Sequence, residues 1–240
     1  MRISKSETNS QYKPQMLEAH HSGPDERPIA VFDLDGTLTK RSTFLPFLIG
    51  FCRRSRRVGG LLRMPFVVAA YVLRLRRDHE TKERLLIDAL GGATVSDIED
   101  EAARLCDEWI PDNLHPLGME LLTKHQQAGH RVILLSASPD VYVLAVARAF
   151  GIEETICTRV AIENGVCIGT LLGENCKGPR KLAALKEYLA TQQPPDDSCA
   201  YGDSRHDLPV LEWVHSGWLV GRHSAMQIGI GDSEPVIVSS

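Results

Sequence analysis

Hydrophobic positions along the chain follow two patterns, and the first is a continuous apolar run closed by small or acidic residues. Ile29, Ala30, Val31 and Phe32 form such a run, followed at once by Asp33, Leu34, Asp35 and Gly36. The sequence Arg-Val-Ile-Leu-Leu-Ser-Ala-Ser at 131–138 repeats the form, as do residues 198–204 and 217–221. Apolar runs without in-and-out alternation predict strands buried on both faces of a parallel sheet. The second pattern is helical. It covers 44–52, 61–77, 81–92, 96–110 and 116–130, and returns at 139–151, 178–190 and 207–214. Pro139 opens one of these helices and Gly151 closes it, while Pro179 stands near the start of another. Between them, residues 158–173 hold two β-rich runs around Asn164-Gly165, a strong hairpin signal.

Strands alternating with helices predict an α/β fold, with a parallel Rossmann-like sheet and right-handed crossovers. The helical residues between the first two strands are too many for one crossover and predict an inserted cap. The expected division is a disordered tail over 1–27, a catalytic core over 28–43 and 119–240, and a helical cap over 44–118, with the small β-hairpin inside the core. In such sheets ligands bind beyond the carboxyl ends of the strands. Three of the strands predicted here end in polar groups: Asp33 and Asp35, Ser136 and Ser138, and Asp203.

Composition narrows the class. With 240 residues and 43% hydrophobic content the chain can bury one substantial core. A net charge of -4 gives no general reason to expect nucleic acid as a partner. Six cysteines without a CxxC pair suit a reduced, cytoplasmic setting, and they read as small packing residues, Cys176 among them. The first 27 residues lack the apolar run of a signal peptide, and no stretch reaches the roughly 18 apolar residues of a membrane-spanning helix.

Two carboxylates one residue apart at a strand end repel each other, and neither stays ionised under burial without a counter-ion. A cation is therefore expected at Asp33 and Asp35. Four pieces would meet there: Asp-Leu-Asp-Gly-Thr at 33–37, Leu-Ser-Ala-Ser at 135–138, Lys-Gly-Pro-Arg-Lys at 177–181 and Gly-Asp-Ser-Arg-His-Asp at 202–207. Their order and spacing over residues 28–222 resemble the haloacid dehalogenase superfamily of phosphohydrolases. The similarity is to the branch holding phosphoserine phosphatases and the bacterial phosphatidylglycerophosphatase of the same fold.

That resemblance implies a Mg²⁺-dependent phosphomonoesterase working through an aspartyl-phosphate. Asp33 is the expected nucleophile, and Asp35 the acid toward the leaving alkoxide and then the base toward water. Asp33 and Asp203 are the expected carboxylate ligands of Mg²⁺, and the resemblance adds the backbone carbonyl of Asp35. Asp207 would orient a metal-bound water or the lysine. Ser136 and the amide of Ala137 would hold phosphate oxygens. The catalytic lysine is Lys177 or Lys181. Lys181 is preferred, because it heads the apolar series Leu182, Leu185 and Leu189 in the first turn of its helix. Ser138, before Pro139, reads as a cap of the next helix, and His206 as a residue that does not ligate metal.

The cap bears on the substrate. Residues 40–77 carry ten Lys or Arg and no Asp or Glu, interleaved with apolar runs. They read either as a helical bundle with a solvated basic face or as a surface meeting anionic lipid at the inner face of the membrane. Phosphoserine phosphatases place a glutamate nine residues after the nucleophile to hold the substrate ammonium, and here that position is Ser42. The expected substrate is thus a lipid phosphate such as phosphatidylglycerophosphate, with a small soluble metabolite such as phosphoserine as the alternative. Two rivals are a signalling receiver domain, which needs neither the DxDGT sequence nor the helical insertion, and a lipid-binding protein on an inactive phosphatase fold.

Overall fold

The computed structural model describes residues 27–72, 78–228 and 237–239. The tail expected over 1–27 lies outside them, Arg27 excepted. A seven-stranded sheet forms the centre, in the order β3-β2-β1-β6-β7-β8-β9. β1 (Ile29–Phe32), β2 (Arg131–Pro139), β3 (Glu154–Thr158), β6 (Cys199–Gly202) and β7 (Ser216–Val220) run parallel. β8 (Ser224–Ile228) and β9 (Ile237–Ser239) extend the edge antiparallel. The sheet is therefore mostly parallel, as the apolar runs predict. β3, β8 and β9 were not among the strands the sequence predicts.

Both faces of the central strands are buried by alternation. Ala30, Phe32 and Leu134 point into one apolar cluster, and Ile29, Val31, Ile133 and Leu135 into another. The first cluster is closed by α6 (Pro116–Gln127) and α7 (Asp140–Ala149), the second by α8 (Pro179–Leu189) and the short α9 (Leu208–Leu211). Phe32 is fully buried and stacks on Tyr201 at 4.7 Å between ring centroids. Replacing such a phenylalanine by alanine costs about 3–5 kcal/mol, so this seam between β1 and β6 is well secured.

The order of strands places the switch point between β1 and β6. β2 follows β1 to one side, while β6 pairs on the other. Their carboxyl ends carry Asp33 and Asp203, at the crevice where ligands bind in open α/β sheets.

Above that edge stand α1 (Phe44–Arg54), α2 (Val58–Val72), α3 (Asp78–Leu90), α4 (Val95–Arg104) and α5 (Ile110–Asn113). The single helix predicted over 96–110 starts instead at a Thr94 cap and passes through a π-helical turn, Leu105–Trp109, before α5. The chain leaves and re-enters the sheet region side by side: the Lys40 N–H donates to the Asn113 carbonyl at 2.7 Å, and the His115 N–H to Leu38 at 2.9 Å. Met119, the first core residue in the division expected from the sequence, falls inside α6.

The Asn164-Gly165 hairpin forms as predicted, joining β4 (Val160–Glu163) to β5 (Val166–Leu171) with φ of +50° and +75° at its two turn residues. It leans on the cap. The N–H groups of Gly92 and Val95 donate to the carbonyls of Cys167 and Gly165, and the Cys167 N–H donates back to Ala93. Gly169 lies so close to α3 that a Cβ there would come within 2.7 Å of the Ile87 backbone.

Candidate active site

The loop after β1 is wound around one carbonyl. Leu34 O accepts from the N–H groups of Leu38 and Thr39 at 3.0 Å each and from the Thr39 hydroxyl at 3.2 Å, while the Leu34 side chain is fully buried. This anchors the loop between the two aspartates. Gly36 sits at φ +95°, and a Cβ on it would meet Asp203 Oδ2 at 2.1 Å. Gly202 serves the neighbouring strand in the same way, since a Cβ there would lie 2.4 Å from Cβ of Asp207. Two glycines thus let acidic residues from adjacent strand tips crowd together.

Lys181, in the first turn of α8, reaches into this crowd. Its Nζ lies 2.6 Å from Asp33 Oδ1 and 2.5 Å from Asp207 Oδ1, and all three residues are buried. The other Asp207 oxygen accepts from the Ser204 N–H at 3.1 Å and the Ser204 hydroxyl at 2.8 Å. Carboxylate oxygens of Asp33, Asp203 and Asp207 come within 4.8 Å of one another. Lys177 lies elsewhere, with Nζ 3.3 Å from Asp78 of the cap.

The electrostatics expose a shortage of positive charge. Burial pushes the Asp33 carboxyl up to about 7, with Lys181 pulling it down and Asp207 and Asp35 pushing it further up. Burial and the neighbouring Asp207 push Asp203 up to about 6. Burial opposes the Lys181 ammonium, yet Asp33 and Asp207 outweigh it and raise its pKa. One ammonium is thus shared by two carboxylates with a third beside them. A hard divalent cation bound by the carboxylate oxygens relieves that imbalance, and an all-oxygen donor set suits Mg²⁺.

Asp35 stands outside the three-carboxylate group. Its Oδ1 accepts from the Thr43 N–H and the Thr43 hydroxyl, both at 2.7 Å, and its Oδ2 accepts from the Ser138 hydroxyl at 2.6 Å. The Thr43 hydroxyl is in turn 2.9 Å from the hydroxyl of Tyr142, which is fully buried. Ser138 does not cap the next helix: α7 has Pro139 at its N-cap position and no side-chain cap bond. The hydroxyl is drawn instead to the stronger, charged acceptor.

Ser136 is buried, with Oγ accepting from the Ser138 N–H at 3.1 Å, and the β2–β3 register shifts between Ser136 and Pro139. The carbonyl of Ala137 receives Thr158 Oγ1 at 2.6 Å and Lys82 Nζ at 2.7 Å. Lys82 comes down from α3 and also donates to Asn175 Oδ1 at 2.6 Å. Burial lowers its pKa to about 8, against the pull of Asp78. Thr43, Tyr142, Lys82, Thr158 and Asn175 were all missed from the sequence. Only Thr43 carried a local signal, as the hydroxyl residue opening the first cap helix. Cys176 packs in the second apolar cluster, its thiol pushed up to about 11 by burial. His206 lies in an open cavity of about 630 Å³ between the start of α3 and the loop before α8, with Asp78, Lys177 and Arg205.

A sequence model of the family described as haloacid dehalogenase-like hydrolase matches residues 30–212, which include every acidic residue of this cluster. The chain belongs to that family. Among its relatives, the protein CicA of Caulobacter vibrioides is 32% identical over 186 residues, covering 76% of this chain and 81% of that one. A probable phosphatase of Mycobacterium tuberculosis is 30% identical over 227 residues, covering 89% and 75%. A solved protein of Bordetella pertussis shares the fold with a TM-score of 0.69 at 22% identity, covering 80% of this chain and 89% of that one. A phosphoserine phosphatase captured as a phospho-aspartyl intermediate analogue does so with a TM-score of 0.55 at 16% identity, covering 80% and 86%.

Proposed function

We propose that this haloacid dehalogenase-family phosphatase hydrolyses phosphomonoesters through a covalent intermediate on Asp33, and that its substrate is a lipid phosphate such as phosphatidylglycerophosphate. The observation that carries the reading is the buried set of Asp33, Lys181 and Asp207 with Asp203 beside it. It is a strand-tip carboxylate with a fixed ammonium on one side and the Asp203 carboxylate close by, an arrangement that suits a nucleophile beside a cation.

In the first step an Asp33 oxygen attacks phosphorus and the bond from phosphorus to the leaving oxygen breaks. Asp35 delivers a proton to that oxygen. In the second step Asp35 takes a proton from water as the water attacks the phosphoryl group, and the bond to Asp33 breaks. The Thr43 and Ser138 hydroxyls suit Asp35 to both steps. A hydroxyl can donate to a carboxylate or accept from a carboxylic acid, so a partner at either oxygen of Asp35 tolerates the change of charge there. Lys181 holds Asp33 in place and sets a positive charge where the transferring oxygens gain negative charge. Asp33, Asp203 and the backbone carbonyl of Asp35 would hold Mg²⁺, with Asp207 fixing Lys181. When bound, the ion supplies charge neutralisation of the phosphoryl group. Ser136 and the Ala137 amide would receive phosphate oxygens.

Two features favour lipid over phosphoserine. Ser42 offers no carboxylate to a substrate ammonium. The cavity beside the site also holds Arg205, with no carboxylate partner among the described residues, next to Lys177 paired with Asp78 and Arg180 paired with Glu174, and that arginine suits a second anionic group such as a phosphodiester. The phosphoserine reading draws support from the solved phosphoserine phosphatase that shares this fold. Phosphate release from p-nitrophenyl phosphate with and without Mg²⁺, then from a panel holding phosphatidylglycerophosphate and phosphoserine, tests both levels. No turnover of any phosphomonoester removes the first, and preferred turnover of phosphoserine removes the second.

A further inference from the structure

Helix α2 has one face to the protein and one with no partner among the described residues. Gly60 and Met64 are buried, and Leu61, Val67 and Val68 pack partly onto the cap core. Opposite them Leu62 is 66% and Phe66 77% exposed, the two most exposed large hydrophobic side chains among the described residues. They stand one turn apart, so they form one stripe, flanked by exposed Pro65 and Ala69. Arg53 and Arg56, at the end of α1 and in the turn before α2, are also exposed, with no carboxylate partner among the described residues. Arg54 pairs with Glu101 and Glu108, and Arg63 of α2 with Asp88, so Arg53 and Arg56 are the two exposed arginines here that remain uncompensated.

We infer that the outer face of α2 seats the protein on an anionic lipid bilayer, with Leu62 and Phe66 in the acyl boundary and the arginines at the headgroups. An apolar stripe beside uncompensated arginines complements such a surface at both levels. A second copy of this chain packed face to face would bring Arg53 and Arg56 toward their own copies. No helix among the described residues is long and apolar enough to cross a membrane, and the contact proposed is an interfacial one.

The position fits a substrate drawn from that surface. α2 ends at Val72, and α3 begins six residues later at Asp78, whose carboxylate accepts from Asn175 at 2.7 Å and lies 3.3 Å from Lys177. Six residues span at most about 20 Å, so the end of α2 lies within that reach of the cavity beside the site. The inference rests on the lipid-phosphate reading for its purpose, and its test separates the two.

The full chain is sedimented with phosphatidylglycerol–phosphatidylcholine vesicles and with pure phosphatidylcholine vesicles, at low and high salt. Wild type is expected on the anionic vesicles at low salt and to leave them as salt rises. Leu62→Ser with Phe66→Ser, and separately Arg53→Glu with Arg56→Glu, should each weaken binding by about tenfold or more. Both should leave p-nitrophenyl phosphate turnover unchanged, since none of the four residues touches the catalytic cluster. Absence of vesicle binding by wild type overturns the inference, as does binding that the Leu62/Phe66 variant retains. A wild-type dimer that this variant splits, with no vesicle binding, assigns the face to self-association and overturns it too. Vesicle binding without phosphate release from phosphatidylglycerophosphate supports the docking face while removing the lipid substrate. Turnover of dispersed short-chain lipid phosphate without vesicle binding does the reverse.

Discussion

Asp33→Asn should abolish phosphatase turnover and yet make the cation-free protein more stable at pH 8. The Asp33 carboxyl is raised from 3.8 to about 7 in the fold, chiefly by burial. A raised folded-state pKa means that the native state binds the proton more tightly than the unfolded chain. Stability is therefore full below about 3.8 and is lost as pH rises through 7. A shift of about three units at 1.36 kcal/mol each sets a ceiling on the order of 4 kcal/mol on the cost of ionised Asp33. Asparagine keeps the shape and an oxygen for Lys181 without the charge, and Lys181 still has Asp207. Thermal unfolding of both proteins in EDTA at pH 8 and pH 5 reads the effect. At roughly 2–4 °C per kcal/mol for a chain of this size, the variant should melt several degrees above wild type at pH 8, with the gap closing toward pH 5. Millimolar Mg²⁺ should raise the wild type more than the variant and narrow or invert the order, because Asp33 is one of the ligands proposed for the ion. A variant less stable than wild type in EDTA at pH 8 would refute the charge-shortage reasoning, and retained turnover would refute the covalent one.

Lys181→Ala should lower kcat by about 10²–10³, the loss typical of one preorganised donor, while Lys177→Ala, whose partner is Asp78, should cost far less. Steady-state kinetics of the pair checks the order. Ser138→Ala removes one of three donors to Asp35 and should cost about 1 kcal/mol of its positioning, read as a five- to tenfold fall in kcat with little change in KM. His125 lies between His130 and Tyr201, and burial lowers its pKa from 6.5 to about 4. The unfolded chain binds that proton first, so stability is held above 6.5 and lost as pH falls toward 4. Urea unfolding at pH 7 and pH 5 should show a flatter acid dependence for His125→Gln than for wild type.

The sequence carried most of the central sheet because parallel strands buried on both faces cannot hide. β1 is an unbroken apolar run and β2 holds another over residues 132–135, and Asn164-Gly165 admits little other than a hairpin turn. β3 escaped because it is an edge strand opening on a charge: Glu154 is accommodated by a two-oxygen hydrogen bond from Arg131 at 2.6 and 2.8 Å, a long-range pairing with no local trace. The π-helical turn escaped for a similar reason, since residues 105–109 differ in no obvious way from α-helical ones. Within the site, the acidic residues and Lys181 announce themselves by spacing on strand ends and a helix start. Lys82 does not, because in sequence it is one lysine between Glu80 and Glu83 on an amphipathic helix. Only the folding of the cap over β2 brings its ammonium to Ala137.

The hairpin that bonds to the 92–95 turn gives the cap an unusual genealogy. Its parts come from two places in the gene, one before β2 and one after β3, and the second contributes a strand against which the first is completed. Glu83 of α3 accepts from the Leu171 N–H at 2.8 Å, so even a helix facing the site has its register set by the distant piece. Exchange of the 44–113 insertion alone, by recombination or by an engineer seeking a new specificity, would therefore deliver an incomplete lid. As a folding unit, the helical insertion and the hairpin are a pair of segments that must travel together.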